Sequence, residues 1–254
     1  MSSMSINSNS ALYKSYSHLS SGKRINSAAD DASGLAIGKK MEREETGLRV
    51  GAENAQAGIG FLNVADGALG GVTDYLQRIR ELALKSMNGL NSDSDKEIYQ
   101  NEINHLKEGI QSLAKDTSLN EQKVLDGSMA DMTLATNPNG GGVKIHMENS
   151  TLEALGIADF DVTKDFDLKA IDNALKMVSS QRSSIGASTN RLEHTYNYNM
   201  SASLEQLSSR SRLEDLDIPK AVSEKKKNDV LFQYRNLMMR NQMDQEGIVL
   251  RMFQ

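Results

Sequence analysis

LRVGAENAQAGIGFLNVADGALGGVTDYLQRIRELALKS, residues 48–86, carries apolar or small side chains at Leu48, Ala52, Ala55, Ile59, Leu62, Ala65, Leu69, Val72, Leu76, Ile79 and Ala83. Every step is three or four residues, so these side chains share one stripe of a helix, and their spacing is that of a coiled-coil seam. The pattern predicts one long amphipathic helix. Alanines on the seam predict that a partner helix comes close. Such a helix is marginal alone, because its stability comes from burying the apolar stripe.

The partners are legible on either side. The polar break NGLNSDSDKE (88–97) offers Asn, Ser and Asp as caps, and a second helix follows with Tyr99, Ile103, Leu106, Ile110 and Leu113 on one face. A link this short implies an antiparallel return. After KVLDGS (123–128) the period changes to two: Met132 to Ala135, then NPNGGG, then Val143, Ile145 and Met147 alternating with Lys144 and His146. This predicts one β-hairpin at about 131–148.

A third long helix is expected from near Asp165. Its face holds Leu168, Ile171, Leu175, Val178, Ile185, Leu192, Tyr196, Met200, Leu204 and Leu207, interrupted by Arg182 and Thr189. A fourth pattern, Val230, Tyr234, Leu237 and Met238, follows Pro219. The fold class expected is mostly α: long antiparallel helices in a coiled-coil-like bundle with one small β-hairpin in the middle. The ends of the chain then lie side by side.

Composition agrees with thin helical packing. The 254 residues include 5 Phe, 7 Tyr and no Trp, so large core anchors are scarce, and only Pro138 and Pro219 interrupt helices. A net charge of -5, from 29 basic and 34 acidic residues, gives no basic field for nucleic acid. The absence of cysteine excludes disulfides and thiolate metal sites. The opening MSSMSINSNSALYK lacks the apolar core of a secretory signal, and no stretch has the length for membrane insertion. Export, if it occurs, is expected to use another route.

Chemical sites are not apparent. Gly22-Lys23 lacks the first glycine and the Ser or Thr of a phosphate loop. His18, His105, His146 and His194 have no metal-ligand spacing, and the carboxylates Glu42, Glu44 and Glu45 have no apolar pocket beside them to split acid from base. Lys225-Lys226-Lys227 is bracketed by Glu224 and Asp229 and reads as a solvated face. Asn149-Ser-Thr and Asn199-Met-Ser match a glycosylation pattern too common to carry weight. Thirteen methionines mostly follow the seams, with a denser group at Met238, Met239, Met243 and Met252. No enzyme activity and no cofactor are expected.

Several motifs in register carry a family resemblance: LSSGKRINSAADDASGLAIGKKM (19–41), DGALGGVTDYLQRIRELALKSMNG (66–89), NEQKVLDGS (120–128), ASTNRLEHT (187–195) and LSSRSRLEDLDIPKAVSE (207–224). Together they resemble bacterial flagellin. The resemblance implies an extracellular filament subunit for motility, made of terminal helices (1–32 plus 215–254) that pair as an inner-tube coiled coil and a helical core domain (33–214) carrying the hairpin. The variable outer domains of larger flagellins have no counterpart here.

The resemblance also implies partners: copies of itself, a flagellar export chaperone, a filament cap and a host Toll-like receptor that senses flagellin, with export through the flagellar type III apparatus. Arg78, Leu82 and Glu102 match the receptor-contact positions. Lys23, Arg24, Asp30 and Asp31 are expected to make contacts between subunits from the connector 19–37, where Gly22 and Gly34 let the chain turn. Leu231, Tyr234, Leu237, Met238, Leu250 and Phe253 form the face for a chaperone or inner-tube packing. The chain begins closer to LSSGKRINS than most flagellins do, and Asp244, Glu246, Gly247 and Arg251 interrupt the usual apolar C-terminus. A hook–filament junction protein and a non-polymerising helical adaptor are the alternatives.

Overall fold

The computed structural model describes residues 13–129 and 131–252, with side chains as far as Gln245. Helix α1, whose described part is 13–21, precedes α2 (Ala32–Ser86) and α3 (Asp93–Asp116). Two short antiparallel pairs follow: β1 (Ser118–Leu119) with β2 (Gln122–Lys123), and β3 (Asp131–Ala135) with β4 (Gly142–His146). Helices α4 (Lys169–Glu214) and α5 (Ile218–Met252) complete the chain. The fold is mostly α, as the periodicity predicts.

The chain forms two compact units, Met1–Glu45 with Leu204–Gln254, and Thr46–Ser203. The first takes in more of both long helices than the segments 1–32 and 215–254 marked on the sequence.

In the second unit the predicted seam is the core. Ala52, Ala55, Leu62, Ala65, Leu69, Val72, Leu76, Ile79 and Ala83 are all buried. Burial of each large side chain among them contributes about 1.5–3 kcal/mol of transfer free energy. Helix α3 starts with a capping box: the Asp95 amide donates to Ser92 Oγ, and the Ser92 amide donates to Asp95 Oδ2. It returns antiparallel to α2, close enough that a Cβ on Gly109 would lie 3.0 Å from the Tyr75 ring and one on Gly71 3.0 Å from Leu113 Cδ1. Ion pairs from α2 to α4, Asp66 with Arg182 and Arg80 with Asp172, set α4 antiparallel to α2 as well.

The hairpin β3–β4 pairs Met132 with Ile145 and Leu134 with Val143. Val143, Ile145 and Met147 turn inward, and a Cβ on Gly58 of α2 would meet Leu134 Cδ1 at 2.2 Å. The expected hairpin is present.

Three features depart from the sequence pattern. Helix α4 begins at Lys169 rather than near Asp165, because Asp167 accepts from the Lys169 amide and forms the turn ahead of it. The segment 147–168 has no helical or strand period, yet Leu155, Ile157, Phe160 and Val162 are core residues. Polar side chains hold it: Gln100 accepts from the Val162 amide, Gln111 from the Leu152 amide, and Lys107 donates to the Ala158 and Phe160 carbonyls. Burial lowers the Lys107 pKa below the usual lysine range.

Along α4 the apolar face drifts off the buried line. Met200, Leu204 and Leu207 are exposed, and the line continues instead through Asn199 and Ser203. Asn199 is buried because its amide donates to the Thr136 carbonyl at the end of the hairpin, at 2.7 Å.

Candidate functional site

The connector between α1 and α2 is held shut from within the first unit. Gly22, at φ +67°, makes a turn that a side chain would strain. The chain then pairs with the end of α4: the Arg24 amide donates to the Glu214 carbonyl and the Leu216 amide to the Gly22 carbonyl, at 2.6 and 2.9 Å. Lys23 and Asp215 thus form an antiparallel β-bridge.

The charged side chains of the connector are placed by this frame. Lys23 Nζ lies 3.0 Å from Glu214 Oε2, whose carboxylate is buried, and Arg24 Nη2 donates to the Leu213 carbonyl. Asp30 accepts from the amides of Asn26 and Ser27 and pairs with Lys14 at 2.8 Å and His18 at 3.4 Å. The Lys14 ammonium, followed by those amides, holds the Asp30 carboxyl far below the usual carboxylate range. Asp31 accepts from the Gly34 amide and caps the start of α2. All four residues therefore have partners in their own chain.

Gly34 serves close packing rather than a turn. A Cβ there would lie 2.7 Å from Ile25 Cδ1, and one on Gly38, a turn later, 1.9 Å from Glu214 Oε1. The Gly34–Gly38 spacing was the available signal for this approach. Glu214 itself gave none beyond lying in a quoted motif, since an isolated glutamate at a helix end reads as solvated.

Helix α5 follows Asp217, whose carboxylate accepts from the Lys220 amide, and Pro219 sits in the first turn where its missing N–H costs nothing. Lys225 Nζ stands 4.3 Å above the Tyr16 ring, which ties α5 to α1. Beyond this point Val230, Leu231, Tyr234, Leu237, Met238, Met239 and Met243 are all exposed. Leu250 lies in α5 without a described side chain, and Phe253 lies outside the described residues.

On the second unit, Arg78 joins α2 to α3. Its Nε and Nη2 donate to Glu102 Oε1 at 2.9 and 2.7 Å, and Nη1 pairs with Glu81 at 3.2 Å. Leu82 is not beside them on the surface. It is 1% exposed and packs in the core, so it supports this patch from beneath and offers no area of its own to a partner.

Two family models match the chain: the bacterial flagellin N-terminal helical region over residues 1–130 and the bacterial flagellin C-terminal helical region over 168–252. This chain belongs to the bacterial flagellin family. A flagellin of Bacillus subtilis (strain 168) is 37% identical, covering 96% of this chain and 93% of that protein. A flagellar filament 33 kDa core protein of Treponema phagedenis is 34% identical, covering 92% and 89%. A crystal structure of Bacillus cereus flagellin superposes with a TM-score of 0.53 over 58% of this chain and 88% of that one, at 24% identity, and shares the fold.

Membership places the connector, the terminal helix and the Arg78 patch in one frame. Flagellins are structural filament proteins, not enzymes. Among the described residues no cluster of His, Asp and Glu suits a metal ion, and no helix is long and apolar enough to cross a membrane. The features to explain in a flagellin-family chain are thus its fixed connector and its exposed terminal helix.

Proposed function

We propose that this chain is a structural subunit of the extracellular flagellar filament, exported through the flagellar type III apparatus and assembled from copies of itself for motility. The observation that carries this reading is the run of seven exposed apolar side chains on α5 from Val230 to Met243. Scattered apolar side chains on a surface are ordinary, but seven within fourteen residues of one helix mark an association surface. Flagellin membership supplies the assembly that covers it.

Finer roles follow from the resemblance. An export chaperone covers the face containing Leu231, Tyr234, Leu237 and Met238 until assembly, a filament cap guides insertion, and a host Toll-like receptor docks over Arg78 and Glu102. Lys23, Arg24, Asp30 and Asp31 serve subunit contacts by fixing the shape of the connector. In support, each is committed to an internal hydrogen bond or ion pair.

The test is seeded growth. Monomers released by heating and mixed with filament fragments should elongate them into long fibres under the electron microscope. A population that stays monomeric over a range of salt and concentration leaves the adaptor reading instead. For the receptor, Arg78→Ala and Glu102→Ala should each weaken binding of purified ectodomain, and unchanged affinity in both removes that role.

A further inference from the structure

The chain has no cysteine, so its thirteen methionines hold all of its sulfur. They are not equally accessible. Met147 is 2% exposed in the core of the second unit, whereas Met238, Met239 and Met243 on α5 are 48%, 44% and 68% exposed; Met87, Met177 and Met200 of the second unit are exposed too, but lie outside α5. Met238 shares a face of α5 with the exposed Val230, Leu231, Tyr234 and Leu237, and Met239 and Met243 stand on the opposite side of the same stretch of helix. An oxidant in solution therefore reaches thioether sulfur on more than one side of the helix that assembly has to bury.

We propose that α5 carries an oxidation site that controls assembly: a peroxide-class oxidant converts Met238, Met239 and Met243 of the free subunit to sulfoxides, and the oxidised subunit does not elongate filaments. The inference rests on the filament reading above. In the chemical step a sulfur lone pair attacks one oxygen of the peroxide and the O–O bond breaks. A sulfur–oxygen bond forms and water leaves, so sulfur is oxidised by two electrons and the peroxide is reduced. No other co-reactant and no protein side chain is needed.

The consequence follows from polarity. A thioether is a flexible apolar group that fills irregular gaps, while a sulfoxide is polar and presents a strong acceptor oxygen. On the free subunit that oxygen is hydrated and the change is tolerated. Within an apolar contact it has no donor, and burying an unpaired acceptor opposes association. Oxidation thus acts on assembly and leaves the core of the second unit intact. Once buried in a filament, the same sulfurs are shielded, which makes the site specific to the unassembled subunit.

The experiment treats wild-type monomers and preformed filaments with hydrogen peroxide and reads oxygen addition at each methionine by peptide mass spectrometry. In monomers, Met238, Met239 and Met243 should be oxidised while Met147 is spared, and in filaments the three should be protected. Oxidised monomers should need about tenfold more protein to elongate seeds, the factor set by one unfavourable buried group. Within a partly oxidised pool, the elongated fraction should be depleted in sulfoxide at these three positions, a comparison that uses no variant. Equal sulfoxide content in the elongated and soluble fractions overturns the proposal, as does equal elongation before and after treatment. The combined variant Met238→Leu, Met239→Leu, Met243→Leu should elongate equally with and without peroxide, and inhibition equal to wild type counts against these sites. If untreated wild-type protein never elongates seeds, it is the filament reading that fails.

Discussion

Arg182 grips Asp66 with two hydrogen bonds, Nε to Oδ1 at 2.8 Å and Nη2 to Oδ2 at 3.1 Å, joining α4 to α2 inside the second unit. On the sequence Arg182 reads only as an interruption of an apolar face. In the structure it fixes the register of two long helices whose apolar seams alone would tolerate a shift.

Removing that grip should be measurable and should depend on pH. Arg182 holds the Asp66 carboxyl below its ordinary range. A carboxyl whose folded pKa is depressed adds stability above its unfolded pKa of about 3.9, and that stability is lost as pH falls through the folded value. Both groups are partly exposed, so the pair is worth about 1 kcal/mol and is weakened by salt. Arg182→Ala should therefore lower the melting temperature at pH 7, and the gap from wild type should close in strong acid. A gap of the same size at pH 2 would show that the loss comes from packing of the arginine stem.

Glycines along α2 should divide into two classes. Gly60, Gly67 and Gly70 have open space where a Cβ would stand, so each replacement by alanine should stabilise the monomer by about 0.5–1 kcal/mol. Gly51 and Gly58 have none: a Cβ would lie 2.2 Å from the Thr136 carbonyl oxygen and 2.2 Å from Leu134 Cδ1. Alanine there should cost about 1–3 kcal/mol through overpacking. Thermal denaturation of the five single variants checks the split, and a uniform response would contradict it.

The contrast between these glycines shows what the sequence conveys. The seam from Ala52 to Ala83 was legible because apolar side chains at three- and four-residue steps have only one way to be buried together. A capped helix start within 88–97 was legible for a similar local reason, although that run offers several caps and does not by itself single out the reciprocal Ser92–Asp95 pairing. Nothing local separates Gly58 from Gly60, because the difference lies in Leu134, a residue of the hairpin. The same holds for Asn199 and Glu214, polar residues buried by partners far away in the chain, and for Leu155, Ile157, Phe160 and Val162, whose segment follows no period. At the connector, Lys23 and Asp30 were visible as charges, but their partners Glu214 and Lys14 were not.

The turn between β1 and β2 carries local strain that one substitution should relieve. Asn120 and Glu121 have φ of 50° and 65°, the left-handed region that a two-residue hairpin turn needs. Asparagine is tolerant of it, and glutamate is not. Glu121→Gly should stabilise the second unit by about 0.5–1 kcal/mol. A melting temperature below wild type would mean that the Glu121 side chain contributes more than its backbone costs.

The clamp on the connector gives the last prediction, and it concerns the first unit alone. Gly38 leaves room for the Glu214 carboxylate, which in turn pairs with Lys23. Alanine at 38 would place a methyl 1.9 Å from Glu214 Oε1 and drive that carboxylate off its partner. The cost should be about 1–3 kcal/mol, and it should appear as faster amide exchange at Arg24 and Leu216, whose N–H groups close the β-bridge. Glu214→Gln keeps the shape but drops the charge, so it should loosen the bridge less than Gly38→Ala does. The double variant Gly38→Ala, Glu214→Ala frees the space again and should exchange more slowly than Gly38→Ala alone. If the double variant is no better, the glycine is needed for something other than the approach of Glu214.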